Sequence, residues 1–204
     1  MNSINEIYEA LLKIDHALFF AINNFNSVFF DHVMFFISEI YIWIPLYIIL
    51  LWLSWLKYKK MLPLVIIIFI LTVVLTDQVS VHLFKNVFER LRPCHNPEFE
   101  GLVHLVNNKC GGKFGFVSSH ACNTAGVATI SILLLHKPFR WITPVVIFYV
   151  ILNSYSRIYL GVHYPADVIG GLLVGIMAGF ISYWILLLFP KINHNMLKTN
   201  RLQR

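Results

Sequence analysis

The chain has 204 residues, of which 58% are hydrophobic and only 13% charged, with a mean hydropathy of +0.69. That leaves too little polar surface to cover a soluble globule, so the composition points to a bilayer. The net charge of +6 reads as a topology signal and not as a nucleic-acid footprint, because no soluble domain is available to carry a basic face.

In residues 1–31, Ile4, Ile7, Tyr8, Leu11, Leu18, Ile22 and Phe25 recur at helical spacing among Glu6, Glu9, Lys13 and His16. This predicts an amphipathic helix lying in the membrane interface. The charges at Glu6, Glu9, Lys13 and Asp15 interrupt any signal-peptide core. Apolar spans of the length a bilayer core needs, about 20 residues, are then predicted near His32–Trp55, Met61–Phe84, Ser119–His136, Phe139–Ser156 and Ala166–Phe189. The expected fold is an all-α integral membrane bundle of about five transmembrane helices. It forms a single domain over residues 1–204, with its core at 61–189 and a basic tail at 190–204.

Sorting the connectors by alternation places Lys57, Lys59, Lys60, Lys137, Arg140, Lys191, Lys198, Arg201 and Arg204 on one face, with no acidic residue among them. The positive-inside rule makes that face cytoplasmic. The amino-terminal segment and the loops Lys85–Ser118 and Arg157–Pro165 then lie on the extracytoplasmic face. Cys94 and Cys110 both fall in the first of these loops, a compartment where disulfides persist. A bridge between them would close about 15 residues and stabilise the loop by roughly 3 kcal/mol. Cys122 is expected to remain a free thiol.

Polar residues at span ends concentrate on this outer face: Lys85 and Arg92-Pro93, Ser118-Ser119-His120, and Ser156-Arg157 followed by His163 and Asp167. Singly, each has an ordinary reading as a snorkelling anchor, a helix cap or a first-turn carboxylate. Together they set three cations, two histidines, a hydroxyl and a carboxylate at the ends of consecutive helices. Ser118-Ser119 and Tyr164-Pro165 each read as a helix start, so two N-termini would face one anion pocket. A metal site at His120, His163 and Asp167 competes with that reading, but three neighbouring cations would repel a divalent ion. No metal and no cofactor is therefore expected.

Two histidines fit phosphoryl transfer, with one imidazole attacking phosphorus and the other protonating the departing oxygen. Asp167, four residues after His163, can orient the ring as nucleophile. Lys85, Arg92, Ser118 and Arg157 would hold the phosphate oxygens. Glu39 and Asp77 could each pair with one of these cations, Asp77 with Lys85 in particular.

These residues resemble the type 2 phosphatidic acid phosphatase (PAP2) superfamily, whose motifs are K-x6-R-P, P-S-G-H and S-R-x5-H-x3-D. Lys85 to Pro93 matches the first motif, and Ser156-Arg157…His163…Asp167 matches the third. In the second, Ser118 and His120 fit, while Val117 replaces proline and Ser119 replaces glycine. The resemblance covers about residues 61–189. It implies a metal-independent phosphohistidine mechanism with His163 as nucleophile, His120 as acid and Asp167 as its partner. The implied substrate is a lipid phosphomonoester or diphosphate: undecaprenyl diphosphate, phosphatidylglycerol phosphate or a lipid A phosphate. No nucleic acid and no obligatory protein partner is implied. A vanadate-type haloperoxidase shares the pocket by resemblance, but such proteins are large and soluble. A non-catalytic lipid-phosphate binder or transporter would not need both histidines.

Overall fold

The computed structural model describes residues 2–189, so the basic tail and its Lys191, Lys198, Arg201 and Arg204 lie outside the described residues. The described chain is helical, with α1 at Asn2–Asn23, α2 at Val28–Ser38, α3 at Ile44–Tyr58 and α4 at Leu62–Gln78. A π-helical stretch, Val79–Lys85, and the short α5, Asn86–Phe88, continue α4. After a long loop come α6 at Ser119–Leu135, α7 at Ile142–Tyr159 and α8 at Pro165–Leu187. Among the described residues, two stretches, Ile40–Phe88 and Pro165–Leu187, are long and apolar enough to cross a membrane, and α6 is a shorter apolar helix.

The first predicted span, His32–Trp55, is broken. Helix α2 ends at Glu39, whose backbone is extended, and a 3-10 turn over Ile40–Trp43 leads into α3, where Pro45 occupies the first turn and has no N–H to extend a preceding helix. The indole N–H of Trp43 donates to the freed Ile37 carbonyl at 2.7 Å, so the break leaves that acceptor satisfied. Apolar composition is continuous across residues 32–55, which is why periodicity alone joins the two helices.

Helix α1 also departs from a purely interfacial role. Ile4, Ile7, Tyr8 and Leu11 are exposed, as an interfacial face requires, but Phe19, Asn23 and Asp15 are buried. Asn23 closes this corner. Its Nδ2 donates at 2.8 Å to the carbonyls of His104 and Tyr159, and its Oδ1 accepts from the His104 N–H at 2.8 Å.

The bundle core is built from Leu46, Leu50 and Leu53 of α3, Val65 and Ile68 of α4, Ile130, Leu134 and Leu135 of α6, and Ile142 and Val146 of α7. Within lipid the hydrophobic effect gives helices little reason to associate, so close backbone approach matters more. Gly171, Gly175 and Gly179 form a small-residue stripe on α8 facing α6. A Cβ added at Gly175 would fall 2.8 Å from the Ala125 Cβ and collide with the Cys122 carbonyl. Gly175→Leu is therefore expected to destabilise the fold by about 2 kcal/mol or more through overpacking. Thermal unfolding in detergent checks this, and an unchanged midpoint would contradict the close packing of α6 and α8.

Candidate active site

The π-helical turn, the loop after α5, the start of α6, the end of α7 and the turn into α8 bring the motif residues together at one end of the bundle. The π-helical turn after α4 delivers Lys85, whose Nζ donates to Ser119 Oγ at 2.7 Å; Ser80 Oγ shares that hydroxyl, also at 2.7 Å. The ion pair expected between Asp77 and Lys85 is not formed, and the Asp77 carbonyl instead accepts from Ser80. The loop after α5 delivers Arg92, held by the carbonyls of Phe114 and Cys110 at 3.2 Å each. The end of α7 delivers Arg157, whose Nη1 donates to Ser38 Oγ and whose buried Nε has no partner among the described residues. Ser38 sits at the α2–α3 break, so that break is what lets the chain reach Arg157.

His163 stands in the turn between α7 and α8. Gly161 bends that turn with φ +76°, and a Cβ there would lie 2.7 Å from the His104 carbonyl, so glycine is required on both counts. The His163 ring is buried against Asp167, Nδ1 to Oδ2 at 3.4 Å. Burial, reinforced by Arg92, Arg157 and Lys85, holds the imidazole well below its ordinary range near 6.5, while the Gly115 carbonyl acts in the opposite direction. That displacement favours the uncharged form of the ring.

Lys85, Arg92, Ser119, His120, Arg157 and His163 line one cavity of about 440 Å³, with Ser38, Glu39 and Lys109 also on its wall. Two expected parts are placed differently. Ser118, expected as a phosphate ligand, is fully buried and caps α6: its extended backbone turns the hydroxyl back to the Ala121 N–H, and it does not line the cavity. Ser119 takes the position beside Lys85. Only one of the two expected helix N-termini opens on the cavity, because that of α8 is occupied by carboxylates. Asp15 Oδ1 accepts from the Ala166 N–H at 2.8 Å, and Asp167 Oδ2 accepts from the Tyr164 N–H at 3.0 Å.

Sequence reasoning passed over Asp15 and Arg90. Arg90 bridges Asp167 at 2.7 Å and Asp15 at 2.5 Å. The available signal was Arg90 itself, a third cation inside the Lys85–Pro93 segment, and Asp15 as a carboxylate among the apolar positions of α1.

A family model described as the PAP2 superfamily matches residues 64–190. The chain belongs to the PAP2 superfamily. It is 36% identical over 180 residues to a lipid A 4'-phosphatase of Bacteroides thetaiotaomicron, covering 87% of this chain and 79% of that protein. It is 31% identical over 170 residues to an undecaprenyl-diphosphatase of Sulfolobus acidocaldarius, covering 81% and 76%. The crystal structure of a transmembrane PAP2-type phosphatidylglycerolphosphate phosphatase from Bacillus subtilis superposes with a TM-score of 0.64 at 25% identity, covering 88% of each chain. This PAP2 chain is accordingly a membrane phosphatase.

Cys94 and Cys110 are joined by a disulfide with a Cα–Cα distance of 6.0 Å, while Cys122 is free and buried. The bridge fixes the segment whose Cys110 carbonyl holds Arg92. Replacing both cysteines by serine is expected to cost roughly 3 kcal/mol of stability and to raise KM as Arg92 loses a fixed acceptor. Thermal unfolding and steady-state kinetics of the double variant check both effects, and unchanged values would contradict the role of the bridge.

Proposed function

We propose that this chain hydrolyses a phosphomonoester or diphosphate of a membrane lipid through a phosphohistidine on His163. One observation carries the lipid reading. The cationic cavity shares Ser38, Ile40 and His120 of its wall with an adjoining apolar groove of about 490 Å³ between α3, α4, α6 and α7, lined by residues such as Leu50, Phe69, Val73 and Tyr149. A phosphate in the first and a hydrocarbon tail in the second describe an amphiphile at the interface. A soluble sugar phosphate would leave the groove without a function.

In the proposed reaction Lys85, Arg92 and Arg157 hold the phosphate oxygens, with the Ser119 hydroxyl beside them and Ser118 fixing the start of α6 behind. Charge delocalised over those oxygens in the transition state meets donors already in place. The free nitrogen of His163 attacks phosphorus, the bond to the leaving oxygen breaks, and His120 gives that oxygen its proton. Asp167 stabilises the positive phosphohistidine. Water then attacks phosphorus while passing a proton to His120, the P–N bond breaks, and release of orthophosphate restores both histidines. None of these steps calls on a metal or a cofactor.

The proposed topology is a single membrane-embedded domain of five spans with α1 docked at the interface. The Lys57–Lys60 and Lys137–Arg140 connectors face the cytoplasm, and the site faces the periplasm or exterior of a bacterial plasma membrane. Among substrates, a lipid A phosphate ranks first, supported by the 36% identity to the lipid A 4'-phosphatase. Undecaprenyl diphosphate and phosphatidylglycerol phosphate follow.

His163→Ala is expected to abolish phosphate release by the folded protein, and His120→Ala to reduce it by on the order of 10²–10⁴-fold, the scale of a lost general acid. Near-normal turnover of His163→Ala would contradict the nucleophile. Activity should persist in a chelator and fall with vanadate. Because a charged His163 cannot attack and its titration is displaced downward, the acid limb of kcat/KM should lie below pH 6.5. Comparing kcat/KM across the three lipids and a soluble phosphate ester tests the substrate class, and preference for the soluble ester would contradict it.

A further inference from the structure

Helix α1 reaches the site from behind, through charge. Asp15 Oδ2 accepts from Arg90 Nη2 at 2.5 Å, Arg90 Nη1 donates to Asp167 Oδ1 at 2.7 Å, and Asp167 Oδ2 faces His163 Nδ1 at 3.4 Å. The guanidinium lies over the Tyr164 ring, 4.3 Å from its centroid, which fixes its plane between the two carboxylates. The second oxygen of Asp15 holds the Ala166 N–H in the first turn of α8, three residues from the nucleophile.

The signs of these charges matter. Arg90 and Asp167 alone would form a neutral pair, offering little field to an imidazole that becomes positive on phosphorylation. Asp15 makes the buried set anionic by one charge. The opposing groups around His163 are cationic: Lys85 from the π-helical turn, Arg92 from the loop and Arg157 from α7, with the His120 imidazole on α6.

We infer that Asp15, acting through Arg90 and Asp167, is a positioning residue for the His163 nucleophile, supplying the negative charge that Arg90 would otherwise cancel. This rests on the phosphohistidine reading and deepens it: the amino-terminal helix is part of the catalytic apparatus, although it lies outside all three motifs. Arg90 is its connector. Lysine there could not bridge two carboxylates in one plane.

Asp15→Asn keeps an oxygen for the Ala166 N–H and removes the charge together with the acceptor facing Arg90. It should lower kcat by on the order of tenfold, the scale on which outer partners of a reactive site act, with KM held within about twofold of the wild-type value. Removing a carboxylate disfavours the protonated imidazole, so the acid limb of kcat/KM should move to lower pH. Asp15→Glu should restore kcat in part. In an Asp167→Asn background the Asp15→Asn effect should disappear, since the influence runs through Asp167. Phe19→Leu, which loosens the packing of α1 on Tyr164 without changing charge, should leave the acid limb in place. An undiminished kcat in Asp15→Asn, an equal loss with and without the Asp167 carboxylate, or the same shift of the limb in Phe19→Leu would overturn the role of Asp15. A wild-type protein releasing no phosphate from any lipid would instead overturn the phosphatase reading, and this role with it.

Discussion

Positive charge concentrated in a partly buried cavity is the constraint around which this protein is arranged. Lys85, Arg92 and Arg157 converge with His120 and His163 on one cavity, and burying such cations without partners is costly. The direct partners of the three cations are nevertheless neutral: two hydroxyls, Ser119 and Ser38, and the carbonyls of Cys110 and Phe114. Neutral acceptors satisfy the N–H groups without cancelling the charge, and an anionic substrate can then provide the compensation. The irregular features of the fold follow from this arrangement. The α2–α3 break presents Ser38, the π-helical turn presents Lys85, and the bridged loop presents the carbonyls that hold Arg92.

Asp167 and Asp15 are kept on the opposite side of His163, while Glu39 stands on the cavity wall. Asp167 and Asp15 share Arg90 and take up N–H groups at the start of α8, where the helix dipole favours negative charge. His163 therefore sits between a cationic front and an anionic back. Burial and then the cationic front disfavour a charged imidazole, and the back would receive the positive charge that forms on the proposed transfer. In a high-dielectric setting this separation would be screened away. Here burial preserves it.

Motif spacing located most of the cavity wall in advance, because Lys85, His120 and Arg157 sit at helix ends and Arg92 and His163 in the loops just beyond them, positions that follow from span length. Contacts that depend on how helices pack were not legible. Nothing in the order of residues says that Asp15, 152 positions from Asp167, faces the same guanidinium. The choice between Ser118 and Ser119 turns on one extended backbone conformation at a cap, beyond the reach of spacing rules. The α2–α3 break was hidden by unbroken apolar composition. The amphipathic pattern of α1 was visible, but its buried half, Phe19 and Asn23, reads no differently from its exposed half until α7 and α8 are in place.

The central claim is that His163 carries the phosphoryl group in turnover. Rapid acid-free quenching of the purified protein with a lipid substrate labelled in its phosphate, followed by alkaline digestion and peptide mapping, tests this most directly, since phosphohistidine survives alkali and is lost in acid. The predicted result is label on the peptide containing His163, formed within one turnover, discharged by water and missing from His163→Ala. Label on another residue, or single-turnover phosphate release with no labelled protein under conditions that preserve phosphohistidine, would contradict it.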